Sequence, residues 1–247
     1  MENKIEIIEI CLLAGKIMLE SGAETYRVED TMNRMAAAFG NVTSQSYVTP
    51  TGIMFSTSGT EPTNIVRINE RSTDLEKVTL VNNISRKISS GELTLQEAKR
   101  ELEELSKKNL SFPIWIQVLS AAIASGCFTI MFLGSWTDFL PACIAGGVGF
   151  AFFFFLHQLV RIKFFAEFMA SFLIGMIAYL FIVTGLGAEL DKIIIGSVMP
   201  LVPGLLITNA VRDLIAGHLV SGISKGAEAF LTAFAIGTGV AVVLAIF

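Results

Sequence analysis

Thr208, Asn209, Arg212 and Asp213 are four polar side chains in a stretch that is otherwise hydrophobic. Residues three and four apart on a helix are neighbours, so the four share one face, while Ile207, Val211 and Leu214 point the other way. That face offers a hydroxyl, an amide, a guanidinium and a carboxylate. A guanidinium can hold the carboxylate of a small solute through two parallel hydrogen bonds. Asp213 could pair with a solute ammonium or take up a proton. Just before this face, Met199-Pro200-Leu201-Val202-Pro203-Gly204 interrupts the segment. Proline removes a backbone donor and clashes with the preceding turn, so a helix written this way breaks. In lipid, the freed backbone groups are tolerated only where protein or a water-filled cavity satisfies them. A broken helix followed by a polar stripe is the pattern expected where a small polar solute crosses a membrane. A half-helix restarting at Pro203-Gly204 would add unpaired N–H groups and a positive dipole end directed at the same anionic group. A plainer reading makes Arg212 and Asp213 boundary residues that face water at the end of a span. The sequence leaves both open.

The elements that must carry these residues fall into two parts. Of 247 residues, 53% are hydrophobic and 16% charged, with a mean hydropathy of +0.64. Before Phe112 lie 13 of the 18 Lys and Arg and 16 of the 22 Asp and Glu. The division predicts a cytoplasmic α+β domain over residues 1–111 and a transmembrane helical domain over 112–247. In the first part, helices are expected from about Lys4 to Ser21 and from a capping box at Ser21 and Glu24 through Phe39, with Gly40 as the stop. Val42 to Asn69 reads as two or three short strands with turns at Gly52, Gly59 and Pro62. Thr73 with Glu76, and Thr94 with Glu97, are expected to cap two further helices.

Five apolar stretches follow, at about 112–133, 139–160, 164–185, 193–211 and 227–247, each near the ~20 residues that cross the hydrocarbon core. The fourth is the one broken at Pro200–Gly204. Lys107 and Lys108, then Arg161 and Lys163, then Arg212 and Lys225 mark alternate span ends. This bias places the N-terminal domain in the cytoplasm and the C-terminus outside. Met1 to Lys16 carries charged interruptions and no cleavage pattern, so no secretory signal is expected. In the last span Ala229, Ala233, Gly237, Ala241 and Ala245 recur at every fourth position, a stripe that favours helix association in lipid. Ala142, Ala145, Gly146 and Gly149 give a weaker version. The odd span count suggests that a second copy or second subunit completes the unit.

Other chemistry is thinly represented. Asp213, His218 and Ser221 are the residue types of a hydrolytic triad, but positions five apart on a continuous helix point ~140° away from each other. No G-x-S-x-G elbow occurs, and with only His157 and His218 a histidine metal site is poorly supplied. The sequence implies no enzyme, no cofactor and no metal. Cys11, Cys127 and Cys143 have no metal or redox spacing and read as small buried hydrophobes. A net charge of −4 argues against nucleic acid as a partner. Glu167 and Glu228 sit near span ends and are either proton sites or interfacial residues. Glu24, Arg27, Glu29, Asp30 and the Thr49-Pro50-Thr51-Gly52 turn are the polar candidates of the N-terminal part. Its charge runs read as solvated helix faces.

Three stretches together resemble the threonine/serine exporter family, in its N-terminal half or separate-subunit form. They are Ser21-Gly-Ala-Glu-Thr-Tyr-Arg27-Val-Glu29, Thr49-Pro-Thr-Gly-Ile53-Met-Phe-Ser56, and Pro203-Gly204 through Thr208-Asn-Ala-Val-Arg-Asp-Leu-Ile-Ala-Gly217 with Ser221-Gly222. The resemblance implies a cytoplasmic domain, five membrane helices in the inner membrane, and a small five-helix partner subunit of the same family, with a higher oligomer open. It implies export of small amino acids such as threonine and serine, or, as in some two-subunit relatives, of a dicarboxylate such as succinate; the proton gradient is the expected driving force. On this reading Pro203, Gly204, Thr208, Asn209, Arg212 and Asp213 bind substrate, and Asp213 and Glu167 are the proton-coupling candidates. His218 departs from the pattern, which has an acidic residue after Ala216-Gly217. The competing classes are a membrane-tethered sensor or binding module and an intramembrane hydrolase.

Overall fold

In the computed structural model, which describes residues 2–40, 43–57 and 63–247, the protein is mostly helical with one small sheet. In chain order it has α1 (Glu2–Glu20), α2 (Thr25–Ala38), β1 (Ser44–Thr49), β2 (Gly52–Thr57), β3 (Asn64–Arg67), α3 (Leu75–Ser89) and α4 (Leu95–Lys107). Then come α5 (Ile114–Met131), α6 (Trp136–Val160), α7 (Lys163–Val183), α8 (Leu190–Val198), a 3₁₀ turn (Met199–Leu201), α9 (Gly204–Ile215) and α10 (Leu219–Ile246). The chain divides into two compact units, residues 1–111 with 207–226, and residues 112–206 with 227–247. Residues 207–226, which the sequence division counts with the hydrophobic part, pack with the N-terminal residues.

In the first unit α1 is the central element. Ile10, Cys11, Ala14 and Met18 are fully buried on it, and a Cβ on Gly15 would meet Met32 of α2 at 2.4 Å, so the two helices touch there. Burial pushes the Cys11 thiol up to about 12, leaving it an inert hydrophobe. The sheet is an antiparallel meander in the order β1-β2-β3, with Val48 opposite Ile53 and Ile53 opposite Val66. On β2, Ile53 and Phe55 are buried and Met54 is exposed, the period of two that sets a half-buried strand. α3 contributes Val78, Val81, Ile84 and Ile88, and α4 contributes Ala98, Leu102 and Leu105.

Helix starts separate local signals from long-range ones. Thr94 and Glu97 form the expected capping box of α4. At α3 the cap is Asp74 rather than Thr73, its carboxylate accepting from the Lys77 N–H at 3.0 Å. The Ser21–Glu24 box does not form. Glu24 is the N-cap of α2, yet its side chain accepts no capping hydrogen bond, because its carboxylate is engaged elsewhere. Gly40 ends α2 with φ +85°. Gly59, Pro62 and Val42, expected in turns and strands, lie outside the described residues.

In the second unit, α5, α6, α7 and α8 pack through small residues. Cβ atoms on Gly146 and Gly196 would meet Ser125 Oγ and Thr129 Oγ1, each at 2.0 Å, so glycine is required for these approaches. Ala142, Ala145, Gly146 and Gly149 are all buried. On α10, Ala229, Ile236, Gly239 and Val243 face inward, whereas Ala233, Gly237, Ala241 and Ala245 are exposed. Cys143 is half-buried and Cys127 is exposed on α5, so the expectation of burial fails for Cys127. Asp138, in the first turn of α6, is fully buried and accepts from the Ala188 N–H at 2.6 Å, which ties down the chain entering α8.

Among the described residues four helices are long and apolar enough to cross a membrane, α5, α6, α7 and α10. A fifth span exists if α8 with its 3₁₀ turn counts together with α9, the two being bent by 62° at the Pro200–Gly204 break. The polar connection expected after residue 211 is largely helical. α9 runs on to Ile215 and α10 starts at Leu219, eight residues before the expected start of the last span.

Candidate functional site

Within the first unit, the segment from Asn209 to Lys225 is gripped by the loop between α1 and α2. That loop turns at Gly22, whose φ of +86° disfavours any side chain. The Asn209 amide donates to the Gly22 carbonyl at 2.9 Å. Arg212 Nη1 lies 2.5 Å from Glu24 Oε1, and Arg27 Nε lies 3.3 Å from Glu24 Oε2. Asp213 Oδ1 accepts from the Thr25 N–H at 3.0 Å, and Oδ2 accepts from the Thr25 hydroxyl at 2.8 Å and from Lys225 Nζ at 2.7 Å. Lys225 Nζ also donates to the Ala23 carbonyl and to Thr25 Oγ1.

The arrangement explains how α2 begins. Its first N–H groups have no partner within the helix and carry the positive end of the dipole. Asp213 supplies the missing acceptor from 188 residues away in sequence. Thr25, Asp213 and Lys225 are all buried. A charge with no water around it is stable only when paired and hydrogen-bonded, and Asp213 has both.

The outer part of the site is wetter. Glu29 Oε1 accepts from the Val48 N–H at 2.9 Å and lies 3.7 Å from His218 Nδ1. Burial raises the Glu29 carboxyl above the usual glutamate range, against the Val48 hydrogen bond and the nearby His218, with the charge on Asp213 adding to the rise. Ser221 Oγ donates to the Val48 carbonyl at 3.1 Å. Asp213, His218 and Ser221 therefore have three different sets of partners.

The structure thus brings together Asn209, Arg212 and Asp213 with Gly22, Glu24, Thr25, Arg27 and Lys225. Thr208 is exposed on α9. Pro203 and Gly204 lie at the break; Gly204 opens α9, and at 1.5 Å per residue Arg212 is about 12 Å further along that helix. The sequence offers Glu24 as a helix-capping residue, Glu24 and Arg27 as polar candidates within the Ser21–Glu29 motif, and Lys225 as a span-end marker, without joining any of them to Arg212 or Asp213. The signal available for Lys225 was its position twelve residues after Asp213, across a three-residue turn between helices.

Glu167 belongs to the second unit. It is 3% exposed on α7, accepts from the Thr232 hydroxyl of α10 at 3.2 Å, and lies 3.9 Å from Lys163 Nζ. Its Oε2 is buried without a hydrogen-bond partner. Lys163 Nζ also reaches Glu228 Oε1 at 3.1 Å.

The model of the threonine/serine exporter family matches residues 9–247. The chain belongs to this family. Its relatives include a "probable threonine/serine exporter" of Mycobacterium tuberculosis, 23% identical over 236 residues, which cover 92% of this chain but 44% of the mycobacterial protein. Two others are named "probable succinate transporter subunit YjjP". The Klebsiella aerogenes protein is 25% identical over 95% of this chain and 91% of its own length, and the Escherichia coli protein 24% identical over 99% and 96%. This exporter-family chain thus spans less than half of the mycobacterial relative and nearly all of the two subunits. No solved structure matches it. With its family and its apolar helices, the chain is a multi-pass membrane protein.

Proposed function

We propose that the chain is one subunit of a secondary active exporter of small carboxylates, threonine and serine or a dicarboxylate such as succinate, in the cytoplasmic membrane. Residues 1–111 form its cytoplasmic domain, the C-terminus lies outside, and a second small membrane subunit of the same family completes the pathway. The reading rests on Arg212. Its guanidinium is half exposed and already holds a carboxylate, that of Glu24, so the site has the geometry for a solute carboxylate. Asn209 and Thr208 flank it on α9, and Pro203 and Gly204 set the break that starts this helix. The outward-facing Ala233, Gly237 and Ala241 on α10 offer the close approach that a partner helix needs in lipid.

Protons drive the export on this reading. Of the two acidic candidates, Asp213 has both oxygens occupied by Thr25 and Lys225, whereas Glu167 keeps one buried oxygen without a partner. Glu167 is therefore the better proton site, since an unpaired buried carboxylate oxygen is relieved by protonation. The decisive experiment is efflux of labelled serine, threonine and succinate from proteoliposomes holding this chain with its partner subunit. Arg212→Lys keeps the charge but loses the planar fork, so efflux falls strongly while insertion and assembly persist. Normal efflux in the lysine variant would reduce Arg212 to a boundary residue.

A further inference from the structure

Two charge clusters meet at the α1–α2 loop, and they differ in kind. Asp213 and Lys225 are both closed off from water, at 0% and 4% exposure. In the other, the Glu24 carboxylate is buried at 7%, but its two guanidiniums are open, Arg27 at 43% and Arg212 at 54%. A guanidinium carries five N–H donors, and each of these two directs one nitrogen at Glu24, Nε from Arg27 and Nη1 from Arg212. Two cations thus converge on one carboxylate, with a surplus positive charge and donor edges reachable from solvent.

The Glu24 side chain plays no part in capping the helix it precedes. It occupies the N-cap of α2, where an acidic side chain ordinarily caps the backbone, yet makes no capping hydrogen bond. The Thr25 N–H, first in α2, is capped by Asp213 instead. The Glu24 side chain can therefore rotate away without leaving α2 uncapped, and the Asp213–Lys225 pair keeps the loop attached while it does so.

We propose that Arg27 and Arg212 together form the carboxylate site, and that Glu24 is a tethered carboxylate occupying it until a solute carboxylate displaces it. The proposal rests on Arg212 holding the substrate, as argued above. It adds Arg27 as a second binding residue and makes Glu24 an internal competitor. A competitor attached to the protein reduces the fraction of binding-competent sites and so weakens apparent affinity by that fraction.

The test is the concentration dependence of efflux from proteoliposomes holding this chain and its partner subunit, with internal serine or succinate varied. Glu24→Gln removes the competing charge and Glu24→Asp shortens it by one methylene. Each should lower the half-saturating concentration by about threefold or more. Arg27→Gln should raise it by a similar factor with the maximal rate retained. A half-saturating concentration unchanged or raised in the Glu24 variants, with Arg212→Lys impaired, would overturn the competitor and leave the Arg212 site intact. If neither Glu24 variant assembles with the partner, Glu24 is structural and the proposal fails. An unchanged value in Arg27→Gln removes Arg27 from the site. Normal efflux in Arg212→Lys is the separate outcome that refutes the underlying reading.

Discussion

Replacing Lys225 by methionine tests whether the first unit depends on one buried ion pair. The substitution keeps an unbranched apolar stem and deletes the ammonium that sits 2.7 Å from Asp213 Oδ2. Removing one partner of a buried pair leaves an uncompensated charge and costs about 3–5 kcal/mol. Here the Thr25 N–H and hydroxyl still donate to Asp213, so the lower end, about 3 kcal/mol, is expected. For a chain of this size that corresponds to a fall in melting temperature of roughly 6–12 °C. The assay is the heat-dependent loss of the monodisperse peak of detergent-purified protein on size exclusion. Asp213→Asn removes the opposite charge while leaving an oxygen to cap α2, and alone it strands Lys225. The double variant Asp213→Asn with Lys225→Met strands neither, so it should melt higher than either single variant. If Lys225→Met melts within about 2 °C of wild type, or if the two losses simply add, the pair does not carry this stability.

Three further outcomes follow from other positions. Burial raises the Glu29 carboxyl, so the folded protein binds that proton more tightly than the unfolded chain does. The stabilisation is present below the ordinary glutamate value of ~4.3 and is lost as pH rises through the raised one. Glu29→Gln, which can still accept from Val48, should therefore melt above wild type near neutral pH by a margin that shrinks on acidification; a margin constant with pH would refute this. Gly22→Ala forces a side chain into the left-handed region and brings its Cβ to 3.2 Å from the Ser72 carbonyl, for a loss of roughly 1–2 kcal/mol readable in the same melt. On α10, a Cβ on Gly237 meets nothing within 4 Å while one on Gly239 would meet Ser171 Oγ at 2.1 Å. Gly237→Leu should leave the single chain folded but block co-purification of the partner subunit, whereas Gly239→Leu should reduce the yield of folded chain itself. Equal behaviour of the two would remove the outer face of α10 as a contact surface.

What could be read from the sequence was what depends on near neighbours. Thr94 and Glu97 are three apart and meet within one helical turn, so the capping box was legible and is there. The Pro200–Gly204 break was legible because proline acts on its own backbone, and the chain bends by 62° at that point. Ser21 and Glu24 have the same spacing as Thr94 and Glu97, but Arg212 and Arg27 hold the Glu24 carboxylate. The apolar stretch expected at 227–247 is the part of α10 that packs in the second unit, and the helix begins eight residues earlier, at Leu219, within the first unit. Lys225 is neutralised by Asp213 across the turn, a fact no window of sequence contains. Of the site, the face bearing Asn209, Arg212 and Asp213 was visible from its period, and the loop that grips it was not.

The helix cap supplied by Asp213 also fixes an order of events during synthesis. The first unit is discontinuous, with residues 1–111 separated from 207–226 by the segment that holds α5 to α8. At ~5–20 residues per second the ribosome needs roughly 6–25 s to deliver the second portion after the first. Throughout that interval α2 begins with unsatisfied N–H groups and Glu24 has no Arg212. The N-terminal unit can close only after α5 to α8, which lie between its two portions in the chain, have been made. Its completion is thus tied to the arrival of residues 209–225: until they are made, the α1–α2 loop lacks the Asn209, Arg212 and Asp213 contacts that hold it.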